Sequence, residues 1–169
     1  AFDAWISKHR PATAIVVVRR RGETIFMKGH NVGPRAPSLT SSMSKPITGV
    51  AMMQLYEQGK WQLDDPVTKH VPELANLKVI TWKDGKPVMK GGKPVLADPT
   101  SPPTMRQLMS HTAGFGVSSV YEGANLSETD LQGMIDKLAK LPLVSQPGTD
   151  WAYGPVVNIQ GYVVEKLSG

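Results

Sequence analysis

The apolar positions of this chain change period several times, and each change marks an element. Phe2, Trp5 and Ile6 fall at helical spacing, which predicts a helix over residues 2–10 that Pro11 ends. Residues 14–18 (Ala-Ile-Val-Val-Val) then run without a polar break, the pattern of a strand buried on both faces. Residues 23–28 pair with it through a turn at Arg21-Gly22. A two-stranded ribbon is marginal in water, so these strands are expected to need further sheet beside them and cover on both faces.

A helix is predicted from an N-cap at Thr40, Ser41 or Ser42 to about Gln58, with Gly59 as its stop and Pro46 in its first turn. Ile47, Val50, Ala51, Met52, Met53 and Leu55 cover most of its circumference, which predicts a central, buried helix with Lys45 near a low-dielectric interior. Leu63-Asp64-Asp65-Pro66-Val67 reads as a turn capping a short helix rather than as an acid/base pair. Residues 77–103 are rich in Pro and Gly and predict a long excursion with one short hairpin. Residues 104–109 form a short amphipathic helix leading into His111-Thr112-Ala113-Gly114. Ser127-Glu128-Thr129-Asp130 opens another helix to about Leu141 with capping-box-like residues, and Pro155 opens a last one through Val156, Ile159, Val163 and Leu167. The expected division is 1–41, part of a sheet domain, and 42–169, mostly helical.

Composition narrows the function classes. The net charge of +5 has one basic cluster, Arg19-Arg20-Arg21, placed on a hairpin and without interleaved aromatics, so a nucleic-acid partner is not expected. His9, His30, His70 and His111 lie far apart and the chain has no cysteine, so neither a metal site nor a thiol nucleophile is expected, and no cofactor. No apolar run approaches the roughly 20 residues needed to span a bilayer. The first residues, Ala-Phe-Asp-Ala-Trp, show no basic segment before an apolar core, so no signal peptide is visible.

Ser42-Met43-Ser44-Lys45 carries the candidate chemistry. A serine hydroxyl is a weak nucleophile until a base takes its proton, and a lysine three residues on shares its helix face. Such a lysine can be the base if a helix N-terminus and burial lower its pKa. The spacing alone decides little. Twelve serines and thirteen lysines in 169 residues give about one such pair by chance, and one is present.

The surrounding residues add a resemblance. Ser41-Ser42-Met43-Ser44-Lys45-Pro46-Ile47-Thr48, with Gln54-Leu55 and Glu57-Gln58-Gly59-Lys60, resembles the nucleophile helix of the serine β-lactamase/penicillin-binding-protein-like superfamily. The branch is that of class C β-lactamases, D-amino-acid peptidases and family VIII esterases. Leu63-Asp64-Asp65-Pro66-Val67, the segment 104–114, Gln146-Pro147-Gly148-Thr149 with Trp151-Ala152-Tyr153, and the segment 161–169 resemble four further family blocks in the family's order. The resemblance implies an α+β, β-lactamase-like fold: a helical subdomain plus the first two strands of an antiparallel sheet, incomplete without a C-terminal half.

It also implies roles. Ser42 would be the acylated nucleophile, Lys45 its base, and Tyr153 the phenol that passes a proton to the leaving group and then helps activate water. The Ser42 backbone N–H would supply half of an oxyanion hole. Tyr153 could instead be a core tyrosine. His111 is tempting as a general base, but its block is structural in the family; Ser44 reads as a helix-start hydrogen-bonder, and Trp151 as packing or substrate wall.

Two departures shape the expected substrate. Where the family's β-lactamases and peptidases carry Asn two positions after the tyrosine, this chain has Pro155, and Asn158 does not match the motif. That points from lactams and peptides toward small or short-chain esters. Nothing after Tyr153 matches the family's third motif, so a C-terminal half is expected as a second chain or a swapped copy. The resemblance thus implies a carboxylesterase; a β-lactamase or D-amino-acid peptidase of the same fold, and a non-catalytic binding homologue, are the alternatives. The sequence does not choose a compartment between the bacterial cytoplasm and periplasm.

Overall fold

The computed structural model describes residues 1–116, 121, 124–126 and 130–169. The chain forms two compact units, Ala1–Ser41 and Ser42–Gly169.

In the first unit, helix α1 (Phe2–His9) ends at Arg10, which adopts a left-handed conformation. Strands β1 (Ala14–Arg20) and β2 (Glu23–His30) pair antiparallel, with an irregularity between Val18 and Arg19. Arg21 and Gly22 both take positive φ, as a tight hairpin turn requires. Lys28 Nζ donates to both carboxylate oxygens of Asp3, at 2.7 and 2.8 Å, and lowers the pKa of that carboxyl. The expectation of a strand buried on both faces is not met. No residue of β1 or β2 is buried, and Val17 is 45% exposed. Among the described residues the two strands pair with each other alone, and a ribbon offers one neighbour per strand.

The second unit holds the core. A 3-10 turn (Ser41–Ser44) leads into helix α2 (Lys45–Glu57). The helix begins later than the N-cap residues predicted: Ser44 occupies that position, and Pro46 lies in the first turn where its missing N–H costs nothing. Gly59 (φ 71°) closes the helix as expected. Its N–H donates to Tyr56 O at 2.8 Å and the Lys60 N–H to Leu55 O at 3.0 Å, a Schellman pair.

The prediction of a helix buried all round needs correction. Only Met52 and Leu55 of α2 are buried, Ile47 is 73% exposed, and Lys45 is half-buried rather than set in an interior. The buried face packs on helix α5 (Val156–Ser168). Trp61, fully buried, donates its indole N–H to Met52 O at 2.8 Å and pins the middle of α2.

Asp64 and Asp65 close a turn, but neither caps the 3-10 turn Val67–Lys69 that follows. Asp65 Oδ2 accepts from the Gln62 N–H at 2.9 Å and lies 3.1 Å from His70 Nε2, while Oδ1 accepts from Lys69 Nζ at 2.9 Å. The Lys69 bond, followed by those from Gln62 and His70, holds the Asp65 carboxyl down at about 2. Asp64 pairs with Arg106.

The excursion contains more sheet than predicted. Strands β3 (Val79–Ile80) and β8 (Leu96–Ala97) pair around two hairpins, β4 (Trp82–Lys83) with β5 (Lys86–Pro87) and β6 (Met89–Lys90) with β7 (Lys93–Pro94). Two-residue strands carry too little periodicity to be read from sequence.

Helix α3 (Met105–Met109) has a full capping box between Thr104 and Gln107. Helix α4 (Leu131–Leu138) is capped by Asp130, whose carboxylate accepts from Gly133 N–H, and it ends three residues before Leu141. Of the predicted capping segment, residues 127–129 lie outside the described residues. Pro155 stands directly before α5, as predicted. The core joins α2, α3, α4 and α5 through Met52, Leu55, Met105, Leu108, Ile135, Leu138, Ile159 and Val163.

Candidate active site

The start of α2 and the segment leading into α5 meet at one hydroxyl. The Ser41–Ser44 turn places Ser42 one turn ahead of Lys45, and Lys45 Nζ donates to Ser42 Oγ at 3.1 Å. The Tyr153 hydroxyl lies 2.9 Å from the same Oγ. Lys45 Nζ also sits 4.9 Å from the centre of the Tyr153 ring, within cation–π range. All three residues implied by the resemblance therefore come together, although Tyr153 is 111 residues from Ser42.

Electrostatics follow from that geometry. Hydrogen bonding to Lys45, and then to Ser42, holds the Tyr153 phenol below the ordinary tyrosine range. A phenol so placed can give up a proton and take one back. Tyr153 is 43% exposed, so its shift comes from these partners and not from burial.

The segment that carries Tyr153 is laid against residues 111–116. Gly148 N–H donates to Thr112 O at 2.7 Å, Val144 N–H to Gly114 O at 2.8 Å, and Ala152 N–H to His111 O at 3.0 Å. Gly154 permits a close approach of two main chains: a Cβ there would lie 2.9 Å from Phe115 O and 3.0 Å from Gly116 Cα. Gly114, at φ 87°, has a backbone conformation that side chains rarely adopt.

Two further residues border the three: His111, read in sequence as structural, and Trp151, read as packing or substrate wall. The His111 ring stacks on Tyr153, centroids 5.5 Å apart and planes within 3°. Trp151 stands 5.8 Å from His111 and 6.4 Å from Tyr153, and is 65% exposed. Burial, then the charge of Lys45, lowers the His111 pKa. Nothing in His-Thr-Ala-Gly distinguishes a turn from a ring platform; the pairing appears only once the fold brings 111 and 153 together. A separate cavity of about 650 Å³ lies between the small sheet and residues 144–152, and none of Ser42, Lys45 and Tyr153 lines it.

The arrangement is a serine with a lysine and a tyrosine on its Oγ. A family profile described as Beta-lactamase matches residues 2–169. The chain belongs to the β-lactamase family.

Within that family it is 28% identical over 190 residues to Esterase EstB of Burkholderia gladioli, covering 99% of this chain and 44% of the relative. It is 30% identical to Lovastatin esterase of Penicillium rubens over 76% of this chain and 33% of that one. Among solved structures, EstCE1, titled a hydrolase with promiscuous acyltransferase activity, superposes with a TM-score of 0.72 at 25% identity, over 99% of this chain and 45% of its own. The chain thus spans less than half the length of these relatives. The β-lactamase-like α+β fold holds as read from sequence. Among the described residues, no helix is long and apolar enough to cross a membrane.

Proposed function

We propose that this chain carries the acylation residues of a serine hydrolase that cleaves small or short-chain carboxylic esters through an acyl-enzyme at Ser42. The observation that carries the reading is the convergence of Lys45 Nζ and Tyr153 Oη on Ser42 Oγ, at 3.1 and 2.9 Å. A serine held between an amine and an acidified phenol has a base for its proton and an acid for the leaving group.

In the proposed sequence, Oγ attacks the ester carbonyl as its proton passes to the phenolate form of Tyr153, which the Lys45 ammonium stabilises. The Tyr153–Ser42 hydrogen bond then runs from serine to phenolate. The tetrahedral oxyanion is held in part by the Ser42 backbone N–H. As the carbon–oxygen bond breaks, the alcohol leaves with a proton from Tyr153, and the acyl group remains on Ser42. Water then attacks the acyl carbonyl, Tyr153 takes its proton, and the acid departs as that proton returns to Ser42.

Pro155 supports esters over lactams. The side chain two positions after Tyr153 is a pyrrolidine that cannot hydrogen-bond a substrate amide, whereas an ester makes no such demand. The names of the relatives, an esterase from Burkholderia gladioli and a lovastatin esterase, favour the same class. The test is turnover of p-nitrophenyl acetate against nitrocefin by the intact protein and its Ser42→Ala variant. The expected result is ester cleavage well above lactam cleavage, lost in Ser42→Ala. Equal ester turnover by both proteins would remove Ser42 from the mechanism, and nitrocefin turnover above ester turnover would reverse the subclass.

A further inference from the structure

We propose that His111 is a positioning residue for the reaction: its ring and its backbone together fix the phenol of Tyr153 over Ser42 Oγ. The inference rests on the reading of Tyr153 as the proton carrier. It gives a role in the chemistry to a block that the sequence presents as structural.

Three observations carry it. First, the two rings are parallel to within 3° at a centroid separation of 5.5 Å, an offset stack that limits how far the phenol can swing about its Cα–Cβ bond. Second, His111 O accepts the Ala152 N–H at 3.0 Å, so the same residue also holds the backbone one position before Tyr153. Side chain and main chain are gripped at adjacent points, which leaves the hydroxyl little freedom except toward Ser42. Third, His111 meets this need in a left-handed conformation, φ 61°, which costs a non-glycine residue energy and persists only where the surroundings enforce it.

The imidazole itself is set for packing rather than for proton transfer. Its Nδ1 is buried and, among the described residues, has no hydrogen-bond partner. The groups facing the ring are Tyr153, Trp151 and the Lys45 ammonium, whose charge opposes a second cation. A neutral ring can stack on a phenol beside that ammonium without competing for its charge.

The test uses His111→Asn, which tolerates the left-handed backbone but removes the ring, and His111→Phe, which keeps a ring and cannot titrate. The first readout is the ionisation midpoint of Tyr153, taken by difference absorbance against Tyr153→Phe in each background; it does not depend on activity. In His111→Asn this midpoint is expected to rise toward that of an ordinary phenol as the contacts to Lys45 and Ser42 loosen. In His111→Phe it should stay low. The second readout is Ser42 acylation by a fluorophosphonate, expected to slow about tenfold to a hundredfold in His111→Asn at unchanged reagent affinity, and to recover in His111→Phe. A Tyr153 midpoint identical in wild type and in folded His111→Asn overturns the inference, as does a folded His111→Phe that behaves like His111→Asn. Should the Phe variant not fold, the Asn variant decides alone. Absence of acylation in the wild type counts against the hydrolase reading instead, while the Tyr153 midpoints still decide the positioning role.

Discussion

The phenol oxygen of Tyr153 lies 2.9 Å from Oγ of Ser42, the same oxygen that the Lys45 ammonium reaches at 3.1 Å. Neither contact is deeply buried, and neither helps hold the core. Their effect is on proton affinity: the Tyr153 phenol is held below its ordinary range by Lys45 first and Ser42 second.

Removing that phenol should therefore affect chemistry and not folding. Tyr153→Phe and Lys45→Met are each expected to slow Ser42 acylation by about 10²–10⁴-fold, the usual worth of a positioned acid or base. Melting temperatures should stay within a few degrees of wild type, since Tyr153 is 43% exposed and Lys45 only half-buried. In Lys45→Met the Tyr153 midpoint should also rise, because its largest stabilising partner is gone. Stopped-flow acylation and absorbance titration check both.

Gly154 offers a way to move Tyr153 without touching its side chain. A methyl there would press on Phe115 O at 2.9 Å and on Gly116 Cα at 3.0 Å, which are main-chain atoms that cannot turn aside. Gly154→Ala is expected to push the 151–155 segment outward and slow acylation about tenfold to a hundredfold, since a displacement of about 1 Å can cost that much. Gly161→Ala, on α5 with open space around its Cα, is the matched control and should change acylation little. Parallel acylation and thermal-melting measurements separate the two.

Stability in acid should report on Asp65. Its carboxyl falls from 3.8 unfolded to about 2 folded, held by Lys69, Gln62 and His70. A depressed folded-state pKa means that the folded chain favours the anion. The stabilisation is then fully present above the unfolded value and fades as pH falls through about 2. Denaturant titrations from pH 5 to pH 2 should show wild type losing more stability than Asp65→Asn, with Asp65→Asn the less stable protein at pH 7. Parallel acid profiles would remove Asp65 from that role.

How much of this was legible in the chain depended on range. Ser42 and Lys45 could be paired because three residues of helical spacing bring them together whatever the rest does. Gly59 and Pro155 were legible for the same reason: each acts within one turn of its own position. Tyr153 entered only through its resemblance to a family block, since no local rule links it to a serine 111 residues away. His111 was undervalued because a stacking partner is a property of the tertiary fold. The apolar circumference of α2 misled differently. An all-round pattern says a helix can be covered on every side, but α5 and Trp61 cover only the side bearing Met52 and Leu55. The N-cap estimate fell short because three hydroxyl residues in a row can each start a helix, and here they form a 3-10 turn that sets Ser42 ahead of Lys45.

The central claim is that Ser42 becomes acylated, and trapping the acyl group tests it most directly. The intact protein would be mixed with p-nitrophenyl acetate, quenched in acid within the first turnovers and digested for tandem mass spectrometry. The account predicts one acetyl group on the peptide that contains Ser42, located on its Oγ, and none in Ser42→Ala. Acetyl found on Ser44 or a lysine and undiminished in Ser42→Ala, or ester cleavage with no acylated serine, would contradict it.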